Sequence, residues 1–184
     1  MKILRTSDRT RTPWKNGGGT TTEVAVYPPG AGFDDFGWRV SIADVRQGGP
    51  FSLFPGIDRC LAVLEGEMSL TIADGAPVVV SPGTPPALFS GDDRTDAILT
   101  GGAVVDLNVM TRRNVFAAKV SKQALMTATT LKAATTSIAL ALSEFAIGSH
   151  ALGKRDAVFT ETGEEVTFPA SAEFYWIELF AQNR

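Results

Sequence analysis

The chain has 184 residues, 44% hydrophobic and 20% charged, enough to bury a core as one domain or two tightly fused halves. A formal net charge of −3, with arginines scattered among Asp and Glu, argues against a nucleic-acid partner, since phosphate binding draws on a concentrated basic patch. A single cysteine, Cys60, excludes an internal disulfide, and a single histidine, His150, excludes a His-rich metal centre.

The stretch from Met1 to Asp8 holds no apolar run of the signal-peptide kind. No run anywhere reaches the ~20 apolar residues of a membrane helix, so a cytoplasmic chain with no membrane association is expected. Turn signals then recur at short intervals: Gly17-Gly18-Gly19, Pro28-Pro29-Gly30, Gly48-Gly49-Pro50, Pro55-Gly56, Asp74-Gly75, Pro82-Gly83 and Gly101-Gly102. Between them lie segments of strand length at 22–27, 38–45, 61–65, 69–72, 77–80 and 104–110, the pattern of a sandwich or barrel. Residues 67–72 and 78–80, joined through Asp74-Gly75, predict a hairpin. The stretch 121–134 fits a short helix or, through its threonines, a strand. Strand-like texture returns at 157–160, 166–169 and 174–179. Two β-rich halves, 1–112 and 113–184, are expected to share a core as one unit. The apolar 174–179 segment would close the second half or serve as an interface, which leaves a homodimer open.

The segment Leu64-Glu65-Gly66-Glu67-Met68 resembles the turn of the first cupin motif, and Val80-Ser81-Pro82-Gly83-Thr84-Pro85-Pro86 resembles the second. The resemblance implies an all-β, cupin-type barrel or jelly roll, here as two fused half-barrels. A metal-binding cupin sets two histidines and a glutamate before the first turn and another histidine after the second. In this chain apolar residues between Leu53 and Ile57 stand at the paired histidines, Arg59 stands near the glutamate, and Pro86 stands at the last histidine. Arginine has no free lone pair, so no metal and no cofactor is expected; only an all-carboxylate site stays open.

Six segments in order resemble the HutD/Ves family more specifically. They are Pro13-Trp14-Lys15-Asn16-Gly17-Gly18-Gly19-Thr20 with Glu23, 36–43, 49–59, 64–66, 89–92 and 106–113. Residues 114–184 match only in β character. The resemblance implies a bicupin-like fold, a link to bacterial histidine utilisation, and no assigned molecular activity.

Period-2 alternation puts Trp38, Val40 and Ile42 on one face of their strand and Arg39 and Ser41 on the other. Asp58 and Arg59 are adjacent and point to opposite sides, while Asp106 and Asn108 share a face. An inward face with Arg, Asn, Ser and Asp suits a small anionic or zwitterionic ligand, because guanidinium matches carboxylate and Asn serves an amide. The loop Trp14-Lys15-Asn16 with its three glycines would cover that ligand, its N–H groups and Lys15 favouring an anion, or would serve only as a flexible turn that lets Trp14 pack. The candidate ligand-binding residues are therefore Trp14, Lys15, Asn16, Arg39, Ser41, Asp58, Arg59, Asp106 and Asn108. Against this, Arg39 and Arg59 fit structural ion pairs equally well, and Asp106 and Asn108 fit strand-end bonds to backbone. Cys60 reads as core, His150 as an exposed turn.

Three functions follow, in this order. The first is a non-catalytic protein binding a small acidic metabolite, which the family context narrows to the formylglutamate or formiminoglutamate class. The second is an interaction or regulatory protein acting through its barrel surface. The third is a metal-independent isomerase or hydrolase with Asp58 or Asp106 as general base.

Overall fold

The polypeptide alternates short apolar strands with Gly and Pro turns, and the computed structural model, which describes residues 1–182, turns that alternation into two compact β units. The larger spans Thr10–Ala117 with Gln182, and the smaller comprises Met1–Arg9 and Ala118–Ala181. Among the described residues the single helical element is a 3-10 turn at Thr6–Asp8, and no helix is long and apolar enough to cross a membrane.

In the larger unit a six-stranded antiparallel sheet runs in the order Arg11–Pro13, Gly19–Tyr27, Trp38–Val45, Val104–Arg112, Ile57–Glu65, Ala87–Ser90. A second sheet runs Gly49–Pro50, Thr95–Leu99, Met68–Ile72, Val78–Val80, and contains the expected Asp74-Gly75 hairpin. Ala43, Val45, Leu61, Val63, Phe89 and Val104 of the first sheet pack against Met68, Leu70, Val80 and Ala97 of the second. This is a jelly-roll sandwich closed by its apolar inner faces. Val104–Arg112 lies inside the six-stranded sheet and is buried on both faces through Thr111, so its Asp106 and Asn108 are buried polar groups in an otherwise apolar core of the strand.

The register across this strand sets the geometry of everything inside. Met110 faces Arg39 on one side and Arg59 on the other, Asn108 faces Ser41 and Leu61, and Asp106 faces Ala43 and Val63. A bulge between Val105 and Asp106 skips Leu64 and lets the strand turn at Gly66. Gly66 has φ +80°, and a Cβ there would stand 2.7 Å from the Ala103 carbonyl oxygen.

The smaller unit is a five-stranded sheet in the order Lys2–Leu4, Ala157–Thr160, Thr136–Ala141, Glu173–Ala181, Phe116–Ala124, with a two-stranded pair of the sequence-distant Thr129–Lys132 and Glu165–Phe168 and a hairpin Phe145–Ile147/His150–Leu152. Phe168 and Phe174 stack at 4.1 Å inside it, with Trp176 edge-on. The 174–179 segment is central and buried from Phe174 to Ile177, so it closes this sheet. Residues 121–134 form no helix: 121–124 continue the strand Phe116–Ala124, and Thr129 and Thr130 open the strand Thr129–Lys132. The division also differs from residue 112. The chain crosses between units at 117–118, and Met1–Arg9 belongs with the second unit because Lys2–Leu4 pairs with Ala157–Phe159 and Arg5 holds the Asp156 carboxylate at 2.8 Å.

Gly66→Ala forces both a left-handed backbone on alanine and an overlap with a carbonyl. It is expected to cost about 2–3 kcal/mol, read as a lower urea midpoint with an unchanged m-value.

Candidate functional site

Alternation places Glu23, Arg39, Ser41, Arg59, Asp106 and Asn108 on the face of the six-stranded sheet that looks toward the second sheet. Four neighbouring strands thus contribute one polar belt above an apolar floor. With strands spaced ~4.8 Å apart, Arg39 and Arg59, flanking Met110, stand about 10 Å from each other at the backbone. The opposite face of the same strands is apolar: Val40, Ile42, Leu107 and Val109 are at most 2% exposed.

Arg59 is 8% exposed and ringed by aromatics. Its guanidinium carbon lies 5.0 Å from the Phe51 and Phe89 ring centroids and 5.7 Å from that of Phe54. Ring faces attract a cation but do not replace its hydrogen bonds. Nη1 reaches the Ser52 carbonyl only at 3.5 Å, and Nε has no partner. Burial pulls its pKa down to about 10, against the opposing charge of Asp106. Asp106 is 2% exposed, and burial pushes its carboxyl up to about 7; Arg59 opposes the shift and Asp44 adds to it. Its Oδ1 is unpaired, as is Oδ1 of the buried Asn108. Of the five described buried side-chain atoms without a partner, three therefore lie in this belt.

Arg39 sits nearer the rim. It pairs with Glu23 at 3.2 Å and lies 4.2 Å beneath the Phe33 ring. Phe36, Met110 and Ile57 form a small cluster above the belt, with Ala31 and Phe54 packed on it.

Not every predicted residue joins the belt. Asp58 faces outward and binds Arg113 at 2.7 Å; Arg113 also takes Asp92 at 2.8 Å and Ser90 Oγ at 2.6 Å. Lys15 and Asn16 are exposed. Asn16 Oδ1 accepts from Gly18 N at 3.0 Å, and Trp14 N donates to Gly19 O at 2.9 Å, so the glycine loop is a self-bonded turn. A Cβ at Gly19 would stand 2.6 Å from the Asp44 carbonyl oxygen and 3.1 Å from the Trp14 ring, so the loop's glycine lets both the neighbouring strand and that indole approach. Trp14 does reach the inner face: Nε1 donates to Thr21 Oγ1 at 2.8 Å, and Thr21 lies opposite Ala43, at the level of Asp106. Cys60 is buried on the apolar face, its thiol pushed up to about 12 by burial. His150 is exposed in a hairpin.

The sequence reading missed Glu23, Phe33, Phe51, Phe54 and Phe89 as site residues. Phe54 was visible in it only as one of the apolar residues standing in for metal-binding histidines. The belt does not fit a divalent metal: it offers one deeply buried carboxylate and two guanidinium groups without lone pairs. Among the described residues no three of His, Cys, Asp and Glu gather closely enough to hold one.

The two-sheet architecture with the turn at Gly66 defines a cupin-class protein. A cupin 2 conserved barrel domain protein from Leptotrichia buccalis shares that fold at TM-score 0.60 over 98% of this chain and 96% of its own, at 7% identity. The chain belongs to the HutD family, whose model matches residues 6–176. It is similar to HutD from Pseudomonas fluorescens SBW25, with 28% identity and TM-score 0.86 over 99% of both chains. It is also 41% identical over 110 residues to an uncharacterized 21.2 kDa protein in the hutC 3' region of Pseudomonas putida, covering 60% of this chain and 57% of that one. Protein Ves of Citrobacter koseri is 41% identical over 108 residues, covering 58% and 56%. The chain thus matches a little over half the length of these curated relatives.

A carboxyl at ~3.9 when unfolded and about 7 when folded binds its proton more tightly in the native state. Its contribution to stability is full below about pH 4 and is lost as pH rises toward 7. Urea unfolding between pH 4 and 8 should show the wild type losing on the order of a few kcal/mol relative to Asp106→Asn, which cannot titrate there. Parallel curves would mean that Asp106 stays ionised throughout.

Proposed function

We propose that the polar belt binds a small carboxylate metabolite carrying an N–H group, and that the protein acts by binding it rather than by turning it over. The unpaired atoms carry the reading. Arg59 Nε is a buried donor without an acceptor, and Asp106 Oδ1 and Asn108 Oδ1 are buried acceptors without donors. Leaving such atoms unmade costs about 1–3 kcal/mol each, and one ligand with a carboxylate and an amide N–H would satisfy both kinds. Phe51, Phe54 and Phe89 offer apolar walls for its carbon skeleton. The family name and the hutC-region relative favour histidine utilisation as the context, and with it the formylglutamate or formiminoglutamate class.

A second reading, an interaction through the barrel surface, has one observation in its favour. Residues 75–90 contain no charged residue and carry two sheet-edge strands, Val78–Val80 and Ala87–Ser90, with Val78, Val79 and Leu88 exposed at 49%, 50% and 75%. Uncharged apolar edges invite pairing. If a second chain docks there, sedimentation velocity will show a concentration-dependent species that Val79→Lys abolishes.

Thermal unfolding with millimolar histidine, urocanate, formiminoglutamate, formylglutamate and glutamate tests the binding reading. Ligand at ~100 times its dissociation constant adds roughly 2.7 kcal/mol, or about 5–10 °C for a chain of this size. The rise is expected with an N-substituted glutamate and should vanish in Arg59→Met and Asn108→Ala. No rise with any acid sinks the reading. Turnover of a panel member, lost in Asp106→Asn, would instead make the protein an enzyme.

A further inference from the structure

The belt is covered by two loops of different construction. The 51–56 loop is tied down at both ends. Phe51 N donates to Thr95 O at 2.8 Å, Phe54 N donates to Gly91 O at 2.8 Å, and Gly56 N donates to the Asp92 carboxylate at 3.1 Å. Gly91 is packed so closely that a Cβ would stand 2.5 Å from the Phe54 carbonyl oxygen. Phe54 is thus a fixed wall.

The 28–37 loop is tied at its feet and at Asp34, and Ala31 packs on the Phe36 cluster, but Phe33 itself has few ties. Phe36 is fully buried, Gly37 N donates to Tyr27 O at 2.7 Å, and Arg112 donates to the carbonyls of Phe36 and Asp34 at 3.0 and 2.9 Å. Near the tip, the one turn bond runs from Ala31 N to Pro28 O, and among the described residues neither Gly32 nor Phe33 makes a backbone hydrogen bond. Phe33 is 57% exposed, yet its ring is held at two contacts: 4.2 Å from the Arg39 guanidinium carbon and 5.7 Å, centroid to centroid, from Phe54. These are side-chain contacts of modest strength, on a residue that makes no backbone hydrogen bond among the described residues.

We propose that Phe33 is the moving leaf of a gate over Arg59, closing against the fixed Phe54 and held shut by Arg39. In this arrangement Glu23 keeps Arg39 in place beneath the ring, and an anion that draws Arg39 away weakens the latch. A ligand reaching the belt would then open its own entrance. The purpose of the gate rests on the binding reading above, but its existence does not, and the test uses no ligand.

Arg59 is probed with 2,3-butanedione in borate buffer, its modification followed by peptide mass spectrometry. The exposed Arg94, whose side chain is 81% accessible, serves as reference, and the half-buried Arg9 of the smaller unit reports general loosening. In the wild type Arg59 should react far more slowly than Arg94. Phe33→Ala removes one cation–π contact and one aromatic pair and should raise the Arg59 to Arg94 ratio about tenfold, while Phe33→Tyr keeps the wild-type ratio. An unchanged ratio in Phe33→Ala overturns the gate, and so does an equal rise in Phe33→Tyr or in the reactivity of Arg9. If no acid of the panel stabilises the wild type, the binding reading falls while the labelling ratio still decides the gate.

Discussion

A guanidinium buried among three phenyl rings, with a single carboxylate to answer it, is the condition around which the larger unit is arranged. Arg59 keeps its charge at neutral pH even after burial has lowered its pKa. Its surroundings must therefore supply negative potential without supplying a full ion pair. The ring faces of Phe51, Phe54 and Phe89 supply some, and Asp106, two rungs deeper on the neighbouring strand, supplies the rest. Asp106 in turn is held between two demands, its own burial favouring the neutral acid and Arg59 favouring the anion. Neither group would be tolerated so deep without the other, and together they still leave polar atoms unpaired. Where a metal-binding cupin sets histidines, this interior sets guanidinium groups, carboxyls and phenyl rings.

Much of this was legible along the chain, since the relevant physics is local. A strand alternates its side chains, so Arg39 and Ser41 had to share one face and Asp106 and Asn108 another, and Asp58 had to leave Arg59's side. The turn at Gly66 was marked by its motif, and the missing histidines announced the absence of the usual metal donors. What was not legible is what depends on register between distant strands. Nothing in the spacing says that Met110 stands between Arg39 and Arg59, or that Asp106 faces inward with Arg59. Those facts come from pairings across more than forty residues and from a bulge that skips Leu64.

The loops show the same boundary from the other side. The three glycines at 17–19 suggested a cradle for an anion, because glycine permits it; the structure uses Gly19 to make room for the neighbouring strand and Trp14. Phe33 carried no signal at all, being one aromatic in a Gly- and Asp-rich connection, and it acquires meaning only through Arg39 beneath it. In 121–134, alanine, leucine and lysine speak for helix and threonine for strand. The sheet decides: Glu165–Phe168 waits to pair with Thr129–Lys132.

The placement of Met1–Arg9 bears on how the molecule is made. The larger unit is almost wholly contiguous in sequence and can assemble while the ribosome is still extending the chain. The smaller unit cannot, because its edge strand Lys2–Leu4 precedes the larger unit in sequence and its partner Ala157–Thr160 follows it. Until that partner emerges, Arg5 and Arg9 have no Asp156 or Arg155 carbonyl to hold. The larger unit can therefore form before the smaller one, and the slow closure expected of such sequence-distant contacts follows it.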